Sequence, residues 1–175
     1  LADALLAAGA APVGVYALLS ARIEKAFGIW SREYTAAYSP YEAALERFVA
    51  CDKRAPFVGR DAALRERDAG FDALRHRLVL LTVDVERAAA DESDPVVADA
   101  VGYEPVWHNE RCVGTTTSGA YGHRTRASYA MAYVAPEFAA HGTRLEVHVL
   151  GRRRAAVVHA EPGGVYDPRG ARMLA

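Results

Sequence analysis

The chain is short of several things, and each shortage excludes a class of function. Only two cysteines occur, Cys51 and Cys112, far apart and in no Cys-x-x-Cys spacing. That pattern suits ordinary buried thiols in a reducing, cytoplasmic setting rather than a disulfide framework. The six histidines form no H-x-x-x-H pair, so spacing offers no metal site. Neither charge is in excess: 21 Lys and Arg against 22 Asp and Glu leave a formal net charge of -1. That removes the electrostatic motive for a nucleic acid or anionic membrane partner. No apolar run approaches the roughly 18–20 residues of a membrane span, and no secretory signal is visible. A phosphate loop is missing as well. Gly114 to Gly119 has the first spacing of G-x-x-x-x-G-K-S/T, but Ala120 follows where Lys is required. A G-x-G-x-x-G fingerprint is absent too. The first residue is Leu1, and "LADALLAAGA" already reads as helix, so the chain is expected to be a piece that starts in mid-fold.

What is present divides into two halves of different period. Residues 1 to about 75 carry helical signals. After a short apolar helix that stops near Gly9, "VYALLSARIEKAF" sets Val15, Leu18, Leu19, Ile23, Ala26 and Phe27 on one face. "SPYEAALERFV" opens with Ser39 as cap, Pro40 at the first helical position and Glu42 closing a Ser-x-x-Glu box. It predicts a helix with Ala44, Leu45, Phe48 and Val49 inward. A third helix runs from Asp61 to Ala69, with Gly70 ending it. From Arg77 the period falls to two. "RLVLLTVDV" is a buried strand, the polar stretch 86–103 is a loop, and further strands are expected at 104–108, 112–117, 128–134, 144–150 and 155–160. Asn109-Glu110 reads as a hairpin turn, and Gly151 with Arg152, Arg153 and Arg154 as another, its arginines a solvated tip. The tail from Glu161 is expected to wander over the surface. The fold class is therefore α+β, helices followed by a small antiparallel barrel or sandwich.

Few residues carry obvious chemistry. Glu24 beside Arg22 reads as an acid–base group or, more simply, as an ion pair on the surface or between helices. Trp30 and Tyr34, next to Arg32 and Glu33 in an irregular stretch, suit the wall of a flat-ligand site or, for Trp30, core filling. "GTTTSGAYG" reads as a loop in which Gly119 and Gly122 supply positive φ. Ser118 lacks a His–Asp arrangement for nucleophilic catalysis.

Several of these segments are familiar in combination. The runs "ALLSARIEKAFGIWSREYT", "SPYEAALERFV" and "FVGRDA" resemble the later part of the folate-binding domain of the aminomethyltransferase family. That family includes the glycine-cleavage T-protein and the C-terminal halves of dimethylglycine and sarcosine dehydrogenases and oxidases. "GYEPVWHNERCVGTTTSGAYGHRTRASYAMAYV" and "GTRLEVHVLGRRRAAVVHAEPGGVYDP" resemble the same family's small C-terminal β-barrel. The resemblance spans roughly Gly9 to Pro168. It leans toward the dimethylglycine dehydrogenase group through Glu24-Lys25, Trp30 and "VW-x-N…VG-x-TTSG-x-Y".

The resemblance implies that residues 1–75 are the helical end of a folate-binding domain and 76–175 a small C-terminal barrel with a surface tail. It implies one-carbon transfer from a small methylated amine to tetrahydrofolate, giving methylenetetrahydrofolate. FAD would belong to an upstream domain if the protein is of the dehydrogenase type, and the upstream part of the same polypeptide would be the main partner. The family's catalytic aspartate and its G-E-x-G glutamate have no counterpart in this chain, so it holds no catalytic residue and is expected to be inactive alone. Leu18 stands where T-proteins place an arginine against folate, and Arg47 where members often place an aromatic ring. The implied cofactor-binding residues are Trp30 as pocket wall, Arg47 over a flat ring or at the ligand's carboxylates, and Tyr166 in the closing tail. Thr117 and Ser118 are candidates for a further contact. The alternative is a non-catalytic docking or regulatory module of the same fold. Either way, the chain is expected to form the back wall and lid of a cavity completed by other residues, with raw apolar surface near its first helices.

Overall fold

A computed structural model describes residues 1–85, 98–159 and 164–172. Most of the predicted loop 86–103, the last residue of the final predicted strand and part of the tail lie outside the described residues. Six strands form the C-terminal half: β1 (Arg77–Val83), β2 (Pro105–His108), β3 (Arg111–Gly122), β4 (Ala127–Val134), β5 (Arg144–Val149) and β6 (Arg152–His159). They close into an antiparallel barrel in the order β1-β4-β3-β2-β5-β6, with β6 returning to β1. Closure leaves no edge to be capped. Inside, Val79, Leu81, Ala130, Ala132, Val147 and Val158 pack with their neighbours into one core. β1 and β4 are also buried on their outer face, where Leu78, Leu80, Tyr129, Met131 and Tyr133 meet Ile23. Burial on both faces is why "LVLL" is continuous rather than alternating.

The hairpin at Asn109-Glu110 forms as expected, with His108 paired to Arg111 and Asn109 at φ 53. The expected Thr/Ser/Gly loop does not: β3 runs straight through it to Gly122, paired with β4, with a register shift between Thr116 and Ser118. Gly119 and Gly122 are not in the left-handed region. They are glycine for want of space: a Cβ at Gly119 would lie 2.2 Å from the carbonyl oxygen of Ala100, and at Gly122 2.7 Å from the Glu24 side chain. The arginines after Gly151 are not a loose tip either. All three lie in β6, Arg154 is buried, and Arg153 stacks 4.5 Å from the Trp107 ring centroid while pairing with Glu110 and Glu146.

Three helices precede the barrel: α1 (Ala2–Ala7), α2 (Val15–Glu24) and α3 (Arg60–Ala69). The helix predicted from Ser39 starts but does not continue. Its capping box is made, Ser39 N to the Glu42 carboxylate at 2.9 Å and Glu42 N to Ser39 Oγ at 3.1 Å. The first-turn carbonyls are then taken by the barrel: Arg77 donates to Tyr41 O, and Leu78 N to Glu42 O at 2.8 Å. Ala44 turns to φ 57, and only a 3-10 turn over Glu46–Phe48 follows, with Phe48 pointing to solvent rather than inward. α2 buries Ser20, Arg22, Ile23 and Glu24, not the predicted apolar stripe. Of that stripe only Ile23 is enclosed, while Val15 and Leu18 are exposed and α1 buries nothing. Raw apolar surface thus lies along the first helices, as expected. Among the described residues no helix is long and apolar enough to cross a membrane.

Candidate functional site

The chain leaves α2 through Ala26 at φ 52 and folds residues 29–34 into a closed turn. Ser31 N donates to Tyr34 O and Tyr34 N to Ile29 O, both at 3.2 Å, and Trp30 bridges Tyr34 in parallel. Gly28 is required just before it, because a Cβ there would stand 2.5 Å from the Tyr34 ring.

Glu33 holds this turn. Its side chain is wholly enclosed. Oε2 accepts from Ile29 N at 2.9 Å and from Arg22 Nη1 at 3.1 Å. Oε1 accepts from Thr117 Oγ1 at 2.6 Å and from Ser118 Oγ at 2.5 Å. Consecutive strand residues normally point to opposite faces. The bulge at Thr117 lets two neighbouring hydroxyls reach one carboxylate. Burial pushes the Glu33 carboxyl up, but the hydrogen bonds from Ser118, Thr117 and Ile29 and the Arg22 charge outweigh it and hold it below the usual range. The same burial lowers Arg22. An ionised carboxylate with all its oxygens engaged and no route to solvent is an anchor, not a general base.

The predicted Glu24–Arg22 pair is not made. Arg22 serves Glu33, and Glu24 turns to the β3–β4 connection, accepting from Arg124 N at 3.0 Å and from Thr125 N and Oγ1 at 2.8 Å. The backbone oxygen of Glu24 accepts from Val165 N and Tyr166 N at 2.9 and 3.0 Å, and Lys25 Nζ donates to Asp167 O at 2.6 Å. The tail expected to wander is therefore pinned, over residues 164–172, to the C-terminal end of α2. Gly164 permits the approach: at φ 73, a Cβ would come within 2.4 Å of Glu24 O.

A cleft of about 790 Å³ opens beside this junction, between residues 25–28, residues 43–48 and the outer face of β1. Its walls include Phe27, Tyr34, Phe48 and Phe71, and its cations are Lys25, Arg47 and Arg77. Lys25 is committed to Asp167, and Arg77 to Glu46 at 2.8 Å. Arg47 lies over the Phe48 ring at 4.7 Å and has no ion-pair partner among the described residues. Aromatic walls with one uncommitted guanidinium suit a flat ligand bearing carboxylates.

Of the three expected ligand residues, only Arg47 lines this cleft. Trp30 stands outward on its turn at 77% exposure, so it does not fill a core. Tyr166 sits in the pinned tail, its hydroxyl accepting from Arg172 at 3.1 Å. Thr117 and Ser118 spend their hydroxyls on Glu33, and Ser118 is buried. Sequence reasoning placed Glu33 only as a polar neighbour of Trp30 and Tyr34 and missed its anchoring role. The available signal was the run Thr115-Thr116-Thr117-Ser118, hydroxyls in strand context without Pro, Asn or Asp to make a turn, of which the buried ones need acceptors: Thr116 finds Glu104, and Thr117 and Ser118 find Glu33. Among the described residues no cluster of three or more His, Cys, Asp or Glu could hold a metal ion.

Comparison with known proteins adds an independent line. The family described as the glycine cleavage T-protein C-terminal barrel domain matches residues 76–167. Mitochondrial dimethylglycine dehydrogenase of Mus musculus is 38% identical over 165 residues, which cover 94% of this chain and 18% of that protein. The mitochondrial pyruvate dehydrogenase phosphatase regulatory subunit of Mus musculus is 31% identical over 121 residues, 69% of this chain and 13% of that protein. The crystal structure of glycine cleavage system aminomethyltransferase T from Bartonella henselae matches with a TM-score of 0.70 and 25% identity, covering 87% of this chain and 39% of that one. The chain thus spans less than a fifth of the length of the dimethylglycine dehydrogenase it matches.

Proposed function

Since the chain belongs to the glycine cleavage T-protein C-terminal barrel family, we propose that it is the C-terminal part of a longer tetrahydrofolate-dependent one-carbon transferase of the dimethylglycine dehydrogenase or oxidase type. Residues 1–75 would end its folate-binding domain and residues 76–175 form its barrel. The observation that carries this reading is the exposed apolar face of α2, with Val15, Leu18 and, beyond it, Trp30 turned to solvent beside a barrel whose own core is closed. Such a face asks for a partner surface. In this reading the partner is the upstream part of the same polypeptide, and the ligand lies between them.

Tetrahydrofolate, when bound, supplies the nitrogen atoms that accept a one-carbon unit released from a small methylated amine. This chain's residues would bind and orient it. Trp30 offers a ring face, Arg47 reaches its carboxylates, and Tyr166 closes the edge near α2. Catalytic carboxylates, and FAD if the protein is a dehydrogenase, would come from upstream, so the 175 residues alone are inactive in this reading. The free thiols of Cys51 and Cys112 suit a reducing compartment such as the cytoplasm.

The test is titration of the full-length protein with 5-formyltetrahydrofolate, a stable reduced folate. Trp30→Ala is expected to weaken binding several-fold, the worth of about 1 kcal/mol of ring stacking. Arg47→Ala is expected to weaken it in a salt-dependent way. Unchanged affinity in both variants would remove the assignment. The second reading, a non-catalytic regulatory module, is favoured by the similarity to a phosphatase regulatory subunit. A full-length protein that binds no folate would favour it.

A further inference from the structure

An exposed tryptophan at the tip of a turn usually samples many orientations. The turn that carries Trp30 is restrained in its backbone, which sets where the side chain starts. Ser31, the next residue, is held at φ 74, a conformation unfavourable for any residue with a Cβ. Such a backbone persists only where its surroundings over-determine it.

The surroundings can be named. Ile29 N, on one side of Trp30, is held by the Glu33 carboxylate, and the Glu33 carbonyl accepts from Tyr133 OH at 2.9 Å. Arg32, on the other side, donates to Val101 O at 3.1 Å and Thr117 O at 3.3 Å. Through Thr117, Ser118 and Arg22 the same carboxylate joins the turn to β3 and to α2. Glu33 is the node on which the turn, the barrel and the helix converge, yet it has no access to a ligand.

We infer that Glu33 is a positioning residue for ligand binding: by pinning residues 29–34 to the β3 bulge and Arg22, it fixes the place and direction from which the Trp30 indole projects, and so narrows the orientations from which a stacking ligand must select. Fixing a binding group before the ligand arrives removes an ordering cost from the affinity. The inference rests on the proposed ligand role of Trp30, and its test separates the two.

The experiment is a double-mutant cycle in the full-length protein, with 5-formyltetrahydrofolate as the probe and Trp30→Ala, Glu33→Gln and the double variant compared. Trp30→Ala is expected to raise Kd about fivefold. Glu33→Gln keeps the shape but not the charge, and should raise it by a similar factor. The double variant should bind no more weakly than Trp30→Ala alone, because a platform that is gone cannot be misplaced. A Glu33→Gln loss that repeats in full on the Trp30→Ala background, or no loss at all, overturns the inference while leaving the role of Trp30 intact. No loss from Trp30→Ala overturns that role and the inference with it. A second readout is the 19F resonance of 5-fluorotryptophan at position 30, expected as one sharp line in the parent and broadened or doubled in Glu33→Gln. An unchanged line contradicts the inference. Should Glu33→Gln fail to fold, Thr117→Val removes one donor while keeping the ion pair, and must show the same non-additive pattern at smaller size.

Discussion

Replacing Glu33 with alanine strips one enclosed carboxylate from four donors at once, and the cost follows from what is left behind. Arg22 is 6% exposed and loses its only ion-pair partner among the described residues, keeping Phe27 O at 3.2 Å and Met131 Sδ at 3.4 Å. A buried charge left without its partner costs about 3–5 kcal/mol. Thr117 retains Met131 O at 3.2 Å, but Ser118 loses its partner, a buried hydroxyl left unsatisfied at about 1–3 kcal/mol. These sums overlap, since the groups share one site. Against a total stability of about 5–15 kcal/mol, the loss is about a fifth or more. The pH dependence has a definite sign. The folded-state carboxyl of Glu33 lies below its ordinary value, so its contribution is complete above the unfolded value of about 4.3. It is lost as pH falls from there toward the depressed folded value. Urea unfolding of parent and Glu33→Ala should therefore differ by a constant amount between about pH 7 and pH 5, with the gap closing below about pH 4. Glu42 and Glu46, also depressed by hydrogen bonds from Arg75 and Arg77 that outweigh burial, keep the variant acid-sensitive to a lesser degree. A loss below about 1 kcal/mol, or a gap that stays flat into acid, would refute the assignment of Glu33 as a charged anchor.

Two further substitutions test other parts of the fold. Gly119→Ala forces a Cβ to within 2.2 Å of Ala100 O and is expected to cost about 1–3 kcal/mol, read as a lowered thermal midpoint. Leu18→Glu, at a position 57% exposed, should leave the stability of this chain within about 0.5 kcal/mol of the parent. In the full-length protein the same change is expected to abolish tight folate binding, measured by titration, because it puts a charge on the face proposed to meet the upstream domain.

How much of this was legible in the sequence depends on which interactions decide each element. The strands were readable because a closed barrel core imposes a period of two. "RLEVHVL" alternates, and the apolar run from Leu78 matches a strand covered on both faces. The helix predicted from Ser39 was misjudged because its local signals were sound and were overruled by Arg77 and Leu78, more than thirty residues away, which claimed its carbonyls. Gly119 and Gly122 were assigned to turns because glycine is permissive, whereas their cause is crowding from Ala100 and Glu24, which no local window contains. Glu33 was hidden for a similar reason. Its four donors come from positions 22, 29, 117 and 118, and only the bulge in β3 brings the last two together. Arg47 and Tyr166 came from family resemblance and Trp30 also from its irregular, polar surroundings, and the fold distributes them: Arg47 at the cleft, Trp30 on the anchored turn, Tyr166 in the pinned tail.

The most direct test of the proposed ligand wall is hydrogen exchange on the full-length protein with and without 5-formyltetrahydrofolate. Amides of residues 15–34 and 43–48 should exchange more slowly when the folate is bound, while those of β5 and β6 remain unchanged. Bound folate that leaves residues 15–34 unprotected would contradict it.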